Sequence, residues 1–174
     1  PLNGRFNVAV VNTFSPDEPL AEVLEAAAGL EDVQFYITGK KAHASPALLA
    51  SAPANVHFTD FLPDESYYAL LGSSHSVMCL TTRNDTMQRG ACEALSLGRP
   101  IITSDWPILK DYFTQGAVHV PNSSAGILRG VFQMRADHRR FEAEIRQLQL
   151  FQQEEWRGKV EALTALVQES IAVN

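Results

Sequence analysis

Residues 75–105, "HSVMCLTTRNDTMQRGACEALSLGRPIITSD", change their hydrophobic period twice. "HSVMCLTT" (75–82) is apolar enough to be a strand buried on both faces. "TMQRGACEALSLG" (86–98) spaces small and apolar residues as a helix does and is closed by Gly98. Pro100 then opens another apolar run, "PIITSD" (100–105). Strand, helix and strand in close succession form a crossover between parallel neighbours, so this stretch decides the fold class.

The same alternation extends in both directions. "RFNVAVVN" (5–12), "DVQFYITG" (32–39) and "NVHFTDFLP" (55–63) read as strands before it, and "AVHVPN" (117–122) as a strand after it. Between them lie helical runs at 15–30, 45–53, 64–74 and 106–116, with Ser15 or Asp17 placed to cap the first and Asp64 the third. From about 123 to 173 the chain reads as helix, with Phe141, Ile145, Leu148, Val160, Leu163, Val167 and Ile171 at three- and four-residue spacing. The expected fold is α/β: a Rossmann-like, doubly wound, six-stranded parallel sheet with helices on both faces and C-terminal helices. Residues 1–174 are expected to form one domain, with about 137–174 as a helical extension. The chain opens on Pro1 rather than Met, which fits a fragment or a processed product.

Composition narrows the function. The chain is 45% hydrophobic and 20% charged, a globular balance rather than a disordered one. A net charge of −6 argues against a sequence-independent grip on nucleic acid and against a basic membrane-surface face. No apolar run is long enough to cross a bilayer, and no signal peptide is visible. Cys79 and Cys92 lack ligand spacing and read as buried thiols; His43, His57, His75, His119 and His138 show none either, so no metal is expected. No G-x-G-x-x-G follows the first strand, which disfavours a dinucleotide oxidoreductase.

Ligands in such sheets bind beyond the carboxyl ends of the strands. The loop after the fourth strand is the richest there. A helix starting near Thr86 leaves the amides of Thr86, Met87 and Gln88 unpaired, an anion site suited to phosphate. On geometry alone Asp85 is an N-cap before it is a ligand. Glu93 follows two turns in, roughly 12 Å along the axis at about 1.5 Å per residue. Two ribose hydroxyls would satisfy its carboxylate, and an exposed helix glutamate is the equal alternative from spacing alone.

"DTMQRGACEALSLGRPIITSD" (85–105) resembles the signature of GT-B retaining glycosyltransferases of the group 1 family, an acidic residue and a glutamate preceding "A-L/M-A-x-G-x-P-V/I-I". "NVHFTDFLPDESYYALLGSSHSVMCLTT" (55–82) is similar to the segment that precedes it there. The resemblance covers roughly residues 6–135 and implies the C-terminal, nucleotide-sugar-binding domain of such an enzyme. It places Glu93 on the donor's ribose, Asp85 beside the transferred sugar as the catalytic acid residue, and Thr86, Met87 and Gln88 against sugar and diphosphate. Phe61 and Leu62 align with the segment that packs on the nucleobase, and a strand-end pair in the core is their equal alternative.

One departure matters. Family members carry an Arg and a Lys after the first strand that grip the diphosphate. Here "NTFSPDEP" (12–19) has no base and two acids, Asp17 and Glu18. Thr13 and Phe14 of that loop join the expected donor-binding set. Arg83 and Arg89 become the candidate cations, with Lys40, which reads first as a solvated surface charge. The resemblance implies a nucleotide-diphosphate sugar as donor substrate with no cofactor. It also implies a saccharide or lipid-linked acceptor met through an N-terminal domain, in the cytoplasm, with peripheral contact to the inner membrane leaflet in the full-length protein. The rival readings are a 2-epimerase-like enzyme of the same fold and a non-catalytic α/β interaction module, the latter favoured by the acidic loop.

Overall fold

The computed structural model describes residues 5–172, with side chains to residue 168. Pro1–Gly4, Val173, Asn174 and the side chain of Ile171 lie outside the described residues. Six short strands, β1 (Phe6–Val10), β2 (Val33–Thr38), β3 (Val56–Asp60), β4 (Ser76–Cys79), β5 (Ile101–Ser104) and β6 (Ala117–Val120), pair in the order β3-β2-β1-β4-β5-β6, all parallel. Seven α-helices connect or follow them: α1 (Leu20–Ala28), α2 (Pro46–Ala50), α3 (Asp64–Ser73), α4 (Arg89–Ser96), α5 (Pro107–Tyr112), α6 (Ser124–Ala136) and α7 (His138–Ala172). This is the doubly wound sheet expected from the alternating pattern.

Strand alternation builds two cores. Val8, Val10, Met78, Leu80 and Ile102 face α1 and α6, whereas Ala9, Val77, Cys79 and Ile101 face α3, α4, α5 and α7. With both faces covered, the central strands β1, β4 and β5 carry no polar alternation, and so they read as apolar runs, whereas the edge strand β3 alternates. The order reverses at β1, with β2 on one side and β4 on the other. A crevice therefore opens beyond the carboxyl ends of these two strands.

Several local expectations are corrected. α4 begins at Arg89 rather than Thr86, with Gln88 as its N-cap residue, so Asp85 does not cap it. α1 begins at Leu20 after Pro19, and neither Ser15 nor Asp17 caps it. Asp64 is the first residue of α3, not its cap, which is Pro63. The long C-terminal helical run breaks at Asp137. α7 buries Phe141, Ile145 and Leu148 but leaves Trp156, Leu163 and Val167 mostly exposed, because its apolar stripe continues past the end of the sheet.

Candidate functional site

A cleft of about 400 Å³ lies at the switch point, lined from β1 by Val11–Thr13, from β2 by Thr38 and Gly39, and from α3 by Tyr67 and Tyr68. Another wall is the start of α4, from Gln88 to Gly90, with Glu93 one turn further. Gly90 sets the depth of that wall. A Cβ there would stand 2.8 Å from both Cys79 Sγ and Val11 Cγ1, so only glycine lets α4 start this close to the sheet. Gly39 is equally constrained, with φ +104 and a would-be Cβ 2.4 Å from the Asn12 carbonyl oxygen.

Glu93 is a mostly buried acid of the cleft, its side chain 15% exposed. The Tyr67 hydroxyl donates to Oε2 at 2.6 Å, and the Arg89 Nε donates to Oε1 at 2.8 Å. The Tyr68 hydroxyl reaches Oε1 at 3.4 Å. Burial, then the neighbouring carboxylate, pushes the Tyr67 pKa up, which keeps that hydroxyl a donor. The two tyrosines are the partners that sequence reading missed. Their signal was the "DESYYALL" pair (64–71) at the start of α3, but only the fold brings α3 against α4.

The loop leaving β1 supplies its own anion. Glu18 Oε2 accepts from the Thr13 amide at 2.9 Å and from the Ser15 amide at 2.8 Å. Its neighbour Asp17 accepts from Ser15 Oγ at 2.8 Å and from Thr81 Oγ1 at 3.1 Å, and pairs with Arg83 at 3.4 Å. The Ser15 hydroxyl foremost, then Thr81 and the Arg83 charge, hold the Asp17 carboxyl below the usual carboxylate range despite partial desolvation. Phe14 sits at φ +63, its amide donating to Asn12 Oδ1 at 2.8 Å, and lines a second hollow beside the cleft with Glu18, His43 and Thr82.

The segment between β4 and α4 explains the late helix start. Thr81 is fully buried and receives Trp106 Nε1 and Asn122 Nδ2 on its carbonyl, both at 2.7 Å, while its amide donates to Ser104 Oγ at 2.9 Å. The Thr82 amide donates to the Asp17 carbonyl at 2.7 Å. These bonds tie the chain to the segments after β5 and β6 and to the β1–α1 loop, and helical geometry resumes only at Arg89. Among the described residues, the Arg89 and Gly90 amides therefore lack a backbone partner at the cleft wall, the place expected for the amides of Thr86 and Met87. Thr86 and Met87 are half-buried, Met87 against the core, and Gln88 alone of the three expected residues lines the cleft.

The remaining expected residues scatter. Asp85 is exposed in the turn before α4 and lines neither hollow. Arg83 lines neither, being paired with Asp17. Thr13 and Arg89 line the cleft, as do Phe61 and Leu62. Phe61 is 66% exposed, with the Lys40 ammonium 5.7 Å from its ring centre. Asp60, at φ +65, fixes this lip by accepting from the Phe61 and Lys41 amides at 2.9 and 3.1 Å. Burial pushes both thiols, Cys79 and Cys92, up in pKa, so neither is a ready nucleophile. Among the described residues no group of three or more His, Cys, Asp or Glu could hold a metal, and no helix is long and apolar enough to cross a membrane.

Comparison with solved structures finds the same fold in several proteins. The catalytic domain of cholesterol-alpha-glucosyltransferase from Helicobacter pylori superposes with TM-score 0.65 at 16% identity, over 84% of this chain and 98% of that one. Anabaena HepE in complex with UDP and glucose gives TM-score 0.66 at 15% identity, over 88% of this chain and 48% of that one. Sucrose-phosphate synthase from Thermosynechococcus elongatus gives 0.63 at 16%, over 93% and 47%. The chain thus spans about half the length of the last two. At such identities the likeness establishes the fold. No curated protein matches in sequence. Residues 6–149, from β1 into α7, match the family model described as glycosyl transferases group 1, the family that the acidic motif around Glu93 resembles, and the chain belongs to it.

Proposed function

We propose that this chain binds a nucleotide-diphosphate sugar and takes part in glycosyl transfer to an acceptor with retention. The observation that carries the reading is Glu93. It is a mostly buried carboxylate that opens on a cleft at the switch point, and its present partners are hydroxyls and a guanidinium that a ribose diol could replace. Phe61, exposed at the rim, offers an aromatic face to a base. The free amides at the start of α4, with the Arg89 charge, offer the positive end of a helix to phosphate. Such donors stabilise the leaving nucleoside diphosphate as it gains charge.

Asp85 is assigned to the transferred sugar on the motif alignment. The acceptor, a saccharide or lipid-linked sugar, enters in this reading through a further domain, in the cytoplasm and at the inner membrane leaflet. Titration calorimetry of the full-length protein with UDP, GDP and ADP tests the donor site. Saturable binding of one of them, weakened in Glu93→Ala, is expected; an intact fold that binds none of the three counts decisively against the reading. Product anomers read by NMR on the full-length enzyme test retention.

A further inference from the structure

The amides of the β1–α1 loop are already occupied by an anion that belongs to the chain. Thr13 N–H reaches Glu18 Oε2 and Oε1 at 2.9 and 3.1 Å, Thr13 Oγ1 lies 3.2 Å from each oxygen, and Ser15 N–H reaches Oε2 at 2.8 Å. Two backbone donors and a hydroxyl converging on one charged group form an anion cradle of the kind that phosphate oxygens also fill. Glu18 lines both the cleft that contains Glu93 and the hollow beside it, so its carboxylate stands on their shared wall. Among the described residues, the charged side chains lining the cleft are Glu18, Asp64 and Glu93 against Arg89. An incoming diphosphate meets like charge there, and the loop amides are not free to receive it.

We propose that Glu18 is a specificity-determining residue for the donor site. It acts as an internal competitor of the donor's phosphates, holding the Thr13 and Ser15 amides until a phosphate takes them. It thereby shifts recognition from the diphosphate toward the nucleoside. The inference rests on the donor-binding reading above and adds which part of the donor the site discriminates against. Glu18 works here by charge and by occupancy, and the charge can be removed alone or together with the occupant. Glu18→Gln keeps an acceptor oxygen for the loop amides and removes the charge. Glu18→Ala empties the cradle.

The experiment titrates the full-length protein and both variants with matched pairs: uridine and UDP, guanosine and GDP, adenosine and ADP. For the pair that binds, the diphosphate Kd is expected to fall about tenfold or more in both variants, with the nucleoside Kd unchanged. A diphosphate Kd that stays the same or rises in Glu18→Gln overturns the proposal while leaving the donor site in place. An equal loss of nucleoside and diphosphate affinity in both variants also overturns it, since that marks Glu18 as a scaffold for the loop. If no nucleoside or diphosphate binds any of the three proteins, the donor reading falls and this inference with it. Thermal melts of each variant show whether the fold is kept, and Glu18→Gln preserves the loop bonds if Glu18→Ala does not.

Discussion

Glu93 draws on three donors of unequal worth. The Arg89 side chain is 89% exposed, so its ion pair with Glu93 is weak and screened by salt. The Tyr67 bond is shorter, shielded and made to a charged acceptor, a class worth about 1.5–3 kcal/mol. Arg89 is therefore the partner that yields first when a ligand arrives, and Tyr67 the one that holds the carboxylate's aim. Tyr67→Phe is expected to lower stability by roughly 1–2 kcal/mol in urea unfolding. A midpoint unchanged by that substitution would show that the bond is not formed in solution. Replacing Glu93 by Ala is expected to raise the donor's dissociation constant by about 100-fold or more, since two hydrogen bonds to a charged group are worth at least about 3 kcal/mol. Donor dependence identical to wild type would remove the ribose assignment.

At the scale of elements, the site depends on how closely α4 approaches the sheet. The contact at Gly90 fixes both the start of the helix and the height at which Glu93 meets the cleft. Gly90→Ala places a methyl against Cys79 and Val11, an overpacking that costs about 1–3 kcal/mol and moves α4 outward. Weaker donor binding together with a lowered melting temperature is expected, and a variant with full affinity would show that α4 need not sit this deep. The strands were legible because two-sided burial writes itself as apolar runs such as "VAVV" (8–11). The switch-point site followed from the parallel order, and Glu93 from its motif. The start of α4 was not legible. Nothing local to Thr86–Gln88 forbids helix; the contacts that set its start, Gly90 against Val11 and Thr81 against Trp106 and Asn122, join residues far apart in the chain. Tyr67 was hidden for the same reason, since its partner lies 26 residues away on another helix. Glu18 was visible as a charge in the wrong place, but its capture of the loop amides needs the turn that Phe14 makes at positive φ.

For the molecule as a whole, acid stability turns on two half-buried imidazoles, one just before β4 and one in β6. His75, just before β4, accepts the Asn7 amide on Nδ1 at 3.0 Å and stacks on Phe6 at 4.8 Å. Burial first, then the facing His138 and Arg99, hold its pKa below the ordinary value, with Glu142 opposing. His119 in β6 is likewise held low, by burial first and then by Lys110, against the Leu109 carbonyl and Asp105. A histidine with a depressed folded pKa binds fewer protons folded than unfolded. Its stability contribution is complete above the unfolded value near 6.5 and is lost as pH falls toward the folded value. Protonation at His75 also turns the Asn7 amide against a second donor, so loss of the β1–β4 junction is the expected route. The net charge of −6 acts in the other direction, because its self-repulsion fades as pH approaches the isoelectric point near 5.3. Spread over 174 residues and screened beyond about 8 Å at physiological salt, it is the smaller effect. The urea midpoint is therefore expected to decline as pH falls from about 7.5 to 5, with a further decline below about pH 4 as Asp17 and Asp60, both held low by hydrogen bonds, take up protons. His75→Gln, which keeps an acceptor for the Asn7 amide and cannot charge, is expected to flatten the first decline in part. A wild-type midpoint that is level across that range would show that both imidazoles accept protons without cost to the fold.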